Sequence, residues 1–311
     1  MKVLLISQYD YEINHNILPH DPLLIIHYKN YHKKVYDTLL KLNHHVTVSS
    51  GLETNILDLI SNSDVVFSLR HDYGFRNSDL YISLMCDMEN TKFIGNSTFS
   101  KFYDSDKIVG KLLAEKMGIQ TPLYCFHYNL TNIPFTGPYL IKPRFGASST
   151  NISDWNICKN EKDLVKKYNT LQNPENFFIE KYIEGTTLTI GCVKGLNNEY
   201  WVGQPYLLFS KNHRIISYED KRNGSCLRKT AKENHLGLKS LIKQYFTFIQ
   251  PCPIARFDFI QNKQGELFFL EVNTTPNLSC TGSLFNGLEK IMGSYENFIN
   301  HLISLSSSSN K

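Results

Sequence analysis

Apolar and polar positions alternate most regularly in the last fifth of the chain. Ala255-Arg256-Phe257-Asp258-Phe259 and Leu270-Glu271-Val272-Asn273 each place apolar residues at every second position, the period of a strand with one dry face and one open face. The stretch Asn262-Lys263-Gln264-Gly265 between them has the composition of a hairpin loop. A four-residue loop would pair Gln261 with Glu266 and Arg256 with Glu271, so that Arg256, Asp258, Glu271 and Asn273 share a face. Upstream, short apolar runs at 3–6, 46–49, 64–68 and 92–95 alternate with helical patterns at 28–42 and 80–88. That order predicts an α/β unit with a mostly parallel, Rossmann-like sheet over residues 1–97.

A second unit, 98–183, is predicted to open with a helix at 106–117, capped by Asp104 or Ser105 and stopped by Gly118. It continues with a strand at 139–142, a small-residue loop at 146–150, a helix near 161–171 and a strand at 177–180. The third unit, 184–311, carries strands at 188–193 and 200–204, a helix near 235–249 and the hairpin. It closes with a helix marked by Tyr295, Phe298, Ile299, Leu302 and Ile303. The stretch 8–22, rich in Tyr, His, Asn and Asp, has no period, and a loop of that length is often functional.

Charge on one face of an apolar ribbon gives the first chemical clue. Two carboxylates about 5 Å apart repel by roughly 3 kcal/mol at an effective dielectric near 20, so they call for a cation. Arg256 is one source; Asp258, Glu271 and Asn273 together are hard oxygen donors suited to magnesium beside substrate phosphates. The abrupt Thr274-Thr275-Pro276 closes the second strand as a loop.

Composition removes several alternatives. A length of 311 residues can bury a real core, and a net charge of +4 without a Lys/Arg block or an aromatic-basic stripe gives no sign of a nucleic-acid partner. Seven scattered cysteines, odd in number and without a Cys-x-x-Cys pair, point to reduced thiols and a cytoplasmic setting. No apolar run is long enough for a signal peptide or a membrane span.

Arg256-x-Asp258 followed by Glu271-Val272-Asn273-Thr274-Thr275-Pro276 resembles the metal-binding hairpin of the ATP-grasp superfamily, in its D-alanine–D-alanine ligase branch. The resemblance implies that Asp258, Glu271 and Asn273 hold two Mg2+ ions on ATP, while Arg256 stabilises the reacting carboxylate. It implies an ATP-grasp fold preceded by the parallel-sheet domain. Lys142 with Gly146-Ala147-Ser148-Ser149 is similar to the loop that closes over the phosphates, Lys142 and Ser148 toward the nucleotide and Ser149 toward the substrate. Lys107, after Asp106, matches a second phosphate lysine. Phe177 to Gly185 resembles the hinge that binds adenine, which assigns Glu180, Lys181, Tyr182 and Ile183 to the base, with Leu270 as a wall. The family's ribose glutamate is replaced by Thr187, so Glu184 is the substitute. Ser217-Tyr218-Glu219-Asp220-Lys221 resembles the loop that brings a lysine, here Lys221, to the transferring phosphate.

The amino-acid half of the family pattern is weaker. Its glycine-rich first loop with a glutamate becomes Ser7-Gln8-Tyr9-Asp10-Tyr11-Glu12, which leaves Glu12 as the candidate for the first substrate's ammonium. His71 survives from a longer motif that has lost its acidic pair, Asn277 stands where the family has an oxyanion-hole glycine, and Ser283-Leu284 resembles the pair that holds the second substrate's carboxylate. The resemblance implies an ATP-dependent carboxylate–amine ligase working through an acyl phosphate, on small-molecule carboxylate and amine substrates of amino-acid type, with a homodimer as one open arrangement. An ATP-grasp kinase and a nucleotide-binding protein without turnover are the alternatives.

Overall fold

A computed structural model describes residues 1–7, 22–70, 80–95, 97–126, 130, 132–146, 149, 151–197, 199–211, 213–217, 219–220, 225–231 and 236–307. Strands β1 (Lys2–Ile6), β2 (His45–Ser49), β3 (Val65–Ser68) and β4 (Lys92–Ile94) form a parallel sheet in the order β2-β1-β3-β4. Parallel neighbours need crossovers, and α1 (Pro22–Lys41), α2 (Ile56–Ser61) and α3 (Tyr81–Met88) provide them. The uninterrupted apolar run of β1 is explained by burial on both faces. Val3 and Leu5 pack with Val35 and Leu39 of α1, whereas Leu4 and Ile6 pack with Ile56, Ile60 and Ile82 on the opposite side.

Two helices from the far end of the chain complete that first core. Helices α8 (Ser283–Met292) and α9 (Tyr295–Ser307) bring Leu284, Leu288, Phe298, Ile299 and Leu302 against the same layer as Val3 and Leu5. The C-terminal segment is therefore part of the N-terminal core as well as of its own sheet.

The central part holds α4 (Thr98–Ser105), α5 (Lys107–Lys116), α6 (Glu161–Tyr168) and a four-stranded sheet of β5 (Tyr124–Phe126), β6 (Tyr139–Pro143), β7 (Ile157–Cys158) and β8 (Phe177–Lys181), ordered β5-β8-β6-β7. Helix α4 has no counterpart in the sequence reading. It is capped by the Ser97 side chain, which accepts from the Ser100 N–H. The cap of α5 is Asp106 rather than Asp104 or Ser105, because its Oδ1 accepts from the Ile108 N–H at 3.0 Å.

The third sheet is antiparallel. It contains β9 (Gly185–Lys194), β10 (Tyr200–Val202), β11 (Tyr206–Ser210), β12 (Cys226–Thr230), β13 (Ile254–Asn262) and β14 (Leu267–Asn273), in the order β12-β11-β9-β13-β14 with β10 on β9. One face is apolar: Leu188, Ile190, Phe257, Phe259, Phe269 and Val272 pack on α5 and on α7 (Leu236–Phe248). Near the other edge α8 lies against the sheet at Gly203 and Gly287, where a Cβ on Gly287 would come within 2.8 Å of the Gln204 carbonyl oxygen. Among the described residues no helix is long and apolar enough to cross a membrane.

Candidate active site

The β13–β14 hairpin shows how a working face is built from these residues. Near the loop the pairing is Gln261 with Leu267 and Phe259 with Phe269, and beyond an irregularity it is Asp258 with Glu271 and Arg256 with Asn273. This corrects the register expected from the loop length, which set Gln261 against Glu266 and Arg256 against Glu271. Two one-residue offsets cause it: the turn closes at Asn262, whose N–H donates to the Glu266 carbonyl at 3.0 Å, and Leu270 is bulged out of the ladder. Phe269 and Val272 are both buried on the dry face but stand three residues apart, and strict alternation cannot satisfy both. The bulge satisfies both and turns Glu271 and Asn273 to the face of Arg256 and Asp258.

Asp258 is the node of that face. The Arg256 guanidinium donates to both of its oxygens, at 2.9 and 2.7 Å, a bidentate fork. Thr189 Oγ1 from β9 donates to Oδ1 at 2.7 Å, and Asn273 Nδ2 donates to Oδ2 at 3.2 Å. That leaves the Asn273 amide oxygen as an acceptor, alongside the carboxylates of Asp258 and Glu271. All three residues border one cleft of about 360 Å³. Among the described residues no three His, Cys, Asp or Glu side chains cluster as a metal site. The donors are instead two carboxylates and a carboxamide, which fit a hard cation that takes its remaining ligands from phosphate and water.

Cations approach the same cleft from the central subdomain. Lys107, in the first turn of α5, lies 3.5 Å from Glu271 Oε2 and donates to the Gly146 carbonyl at 2.5 Å. Those acceptors offset its unfavourable place at the positive end of a helix dipole. Asp106 next to it accepts a two-pronged contact from Arg144, at 2.6 to 3.0 Å, which ties α5 to the loop after Lys142. Lys142 and Glu180 are diagonal neighbours on β6 and β8, where Lys142 pairs with Phe178 and Glu180 with Leu140, and Nζ lies 3.4 Å from Oε2. Burial opposes the charge on Glu180, but Lys111 and Lys142 outweigh it and keep its carboxyl below the usual range. Ser149 borders the cleft with φ 61°, while Ser148 lies outside the described residues.

The hinge segment is partly committed to the sheet. The Lys181 N–H donates to the Leu123 carbonyl at 2.7 Å and the Tyr182 N–H to the Pro138 carbonyl at 2.9 Å. Among the described residues the Ile183 N–H has no protein acceptor, so the donor left for a ligand edge is this one rather than a run of three. Leu140, Phe209, Ile215, Ile260 and Leu270 supply apolar walls. Glu184 does not border the cleft: its side chain is 66% exposed and pairs with Lys263 at 3.0 Å. Thr187 does border it.

At the other end the cleft is bounded by the loop between β14 and α8. Asp104 accepts from the Thr274 N–H and hydroxyl, both at 2.8 Å, and buried Lys101 donates to Thr275 Oγ1 at 2.7 Å. Tyr31 from α1 accepts the Leu278 N–H, and Tyr295 donates to the Leu278 carbonyl. Asn277 turns its Oδ1 back to accept the Ser279 N–H at 2.8 Å, and Ser283 opens α8 at the cleft wall. A further anchor is Asp220, fully buried, which accepts from Ser210 Oγ, Ser217 N and Ser217 Oγ, and pairs with His213 Nδ1. Lys221, Glu12 and His71 lie outside the described residues.

Several residues of this network escaped the sequence reading: Asp104, Lys111, Thr189, Arg144 and Asp220. Lys111 carried a signal, since it stands three residues from both Ile108 and Ala114 on the buried stripe of α5. The others act over long separations that no local pattern marks.

Two sheets closing on a cleft, with Arg256, Asp258, Glu271 and Asn273 on one and Lys142 and Glu180 on the other, are the architecture of an ATP-grasp protein. The sequence profile described as D-ala D-ala ligase C-terminus matches residues 130–304, more than half of the chain. The chain belongs to the D-alanine–D-alanine ligase family. It is 25% identical to the D-alanine–D-alanine ligase of Aquifex aeolicus over 259 residues, 79% of this chain and 84% of that one. The crystal structure of the Bacillus anthracis D-alanine–D-alanine ligase complexed with ATP superposes with TM-score 0.72 at 15% identity, covering 99% and 97% of the two chains. A D-Ala:D-Ser ligase from Enterococcus faecalis gives TM-score 0.71 at 16% identity, covering 98% and 99%.

Proposed function

We propose that this protein is an ATP-dependent ligase that joins a carboxylate to an amine through an acyl phosphate, with ATP and two magnesium ions as its nucleotide complement. The observation that carries the reading is the shared face of Arg256, Asp258, Glu271 and Asn273, set in one cleft with Lys107 and Lys142. A carboxylate resists amine attack because oxide is a poor leaving group. Transfer of the γ-phosphoryl group to a carboxylate oxygen releases ADP and converts that oxygen into part of a phosphate leaving group. The amine then attacks the acyl carbon, phosphate departs, and the nitrogen loses a proton. Such transfer depends on positioning and charge neutralisation rather than on a protein nucleophile.

In this scheme Asp258, Glu271 and Asn273 would hold the metal, which neutralises phosphate oxygens when bound. Arg256, clamped on Asp258, meets the reacting carboxylate; Lys107, Lys142 and the Lys221 loop meet phosphate, with the hinge on adenine. Residues 1–97, 98–183 and 184–311 serve as substrate, central and metal-bearing units, and seven free thiols suit a cytoplasmic enzyme. Amino acids as the substrate class are supported by relatives bearing the names D-alanine–D-alanine and D-Ala:D-Ser ligase. Asn277, a side chain where the family pattern has glycine, favours a pair other than two D-alanines.

The test is ADP and phosphate release on mixing the protein with ATP, magnesium and a panel of amino acids and short peptides. Release that requires both a carboxylate and an amine, with an amide product by mass, is the expected result. A stable phosphorylated alcohol would make it a kinase, and ATP binding without ADP across the panel would make it a non-catalytic binder.

A further inference from the structure

Lys111 is a fully buried cation that the scheme above does not use, and burial of an ammonium demands a reason. Its Nζ lies 2.5 Å from Glu180 Oε1, donates to the Phe269 carbonyl at 3.2 Å, and sits 5.8 Å from the centre of the Tyr124 ring. It therefore joins helix α5, strand β8 of the central sheet and strand β14 of the hairpin. The other oxygen of the same carboxylate, Oε2, is the one that faces Lys142.

Charge counting shows what this arrangement does. Glu180 and Lys142 alone would cancel, leaving a cleft lysine whose charge is spent on its neighbour. With Lys111 present the trio carries a net +1, and the carboxylate is divided between a buried and a cleft-facing ammonium. We propose that Lys111 is a positioning residue for nucleotide phosphate: it holds one oxygen of Glu180 so that the other aims Lys142, and its charge leaves Lys142 available to an anion. The inference rests on the ATP reading of the site and names a residue beyond the expected ligands.

The charge on Lys111 is itself conditional. Burial lowers its pKa to about 8, against the opposing pull of Glu180, with Lys142 adding to the lowering and Glu115 on its own helix resisting it. The Tyr124 hydroxyl nearby is pushed up to about 12 by burial and by Glu115, so it stays neutral through this range. Above about pH 8 Lys111 loses its proton, and the trio loses its surplus charge.

Equilibrium affinities of the full chain for ATP and for adenosine, with magnesium, separate the possibilities. In Lys111→Met, ATP should bind about tenfold more weakly while adenosine is unchanged. In the unaltered protein the ATP-to-adenosine affinity ratio should fall as pH rises past about 8, and this fall should be absent from Lys111→Met. Equal weakening of both ligands would reduce Lys111 to a structural support of the hinge and overturn the proposal. Unchanged ATP binding in the variant would overturn it as well. If Lys111→Met does not fold, the pH titration of the unaltered protein decides, a flat ratio counting against the role. No binding of ATP by the unaltered protein would instead defeat the nucleotide reading itself.

Discussion

The parallel sheet at the N-terminus and the antiparallel sheet at the C-terminus use apolar residues in opposite ways. In β1 every residue from Val3 to Ile6 is buried, because helices cover both faces. In β13 and β14 one face is covered along its length, and the other, covered only where Ile254 packs with Leu284 and Leu288, holds Arg256, Asp258, Glu271 and Asn273. A strand covered on both sides stabilises the fold but has no face left for chemistry. A strand covered on one side can carry charges toward a ligand, provided each charge finds a partner, as Asp258 does in Arg256 and Thr189.

The sharpest way to break this contrast is Glu271→Gln. Loss of one metal-type carboxylate on the open face should lower turnover at least a thousandfold, about 4 kcal/mol, while thermal unfolding stays within a few degrees of the parent. A variant that keeps full activity would remove the metal role of the hairpin. The converse change, Leu5→Ala in the doubly covered sheet, should cost about 3 kcal/mol of stability by denaturant unfolding. The turnover per folded molecule should be retained; a selective loss of turnover would mean that the two sheets are not divided in labour.

A smaller effect tests the support of the open face. Thr189→Val removes a buried donor to Asp258 at nearly constant shape, and should cost about 1 kcal/mol of transition-state stabilisation, roughly fivefold in kcat/KM, if Asp258 needs its aim. An unchanged kcat/KM would show that Arg256 alone suffices. The smallest effect concerns pH. Burial works against the charge on Asp220, but its donors hold the carboxyl below its ordinary value, and contact with Asp220 raises His213. The Asp220 contribution is present above the ordinary carboxylate range and is lost as pH falls through its lowered value. The His213 contribution is present below about 6.5 and is lost as pH rises through its raised value. The protection of residues 213–217, taken relative to the base-catalysed intrinsic exchange rate at each pH, should therefore fall in alkali. Equal protection at neutral and alkaline pH would reject the His213–Asp220 anchor.

Much of the fold was legible because local periods match the elements. The alternating units at 1–97 read as a parallel sheet, and the apolar stripe of Tyr295 to Ile303 as a helix. Helix α4 was missed because its exposed aromatics Phe99 and Phe102 blur the stripe, its buried positions including Ser100 and Lys101 instead. Helix α8 was missed although Leu284, Leu288 and Met292 recur at four-residue spacing. In the site, the hairpin's four polar residues were readable from alternation, but Lys111 and Asp104 were not, since their partners lie at Glu180 and Thr274 in distant segments.

The sequence by itself determined which side chains would share a face and therefore the chemistry on offer: an arginine, two carboxylates and a carboxamide on one ribbon, with a lysine before a small-residue loop. A period of two specifies the face of a strand, and that information is local. Tertiary structure decided the register, through the tighter turn closed by Asn262 and Glu266 and the Leu270 bulge that the buried Phe269 and Val272 impose together. It also decided the charge balance of the cleft, by bringing Lys111 and Lys142 to the two oxygens of Glu180. Those contacts depend on how whole sheets and helices pack, and packing is a property of the assembled core rather than of any segment.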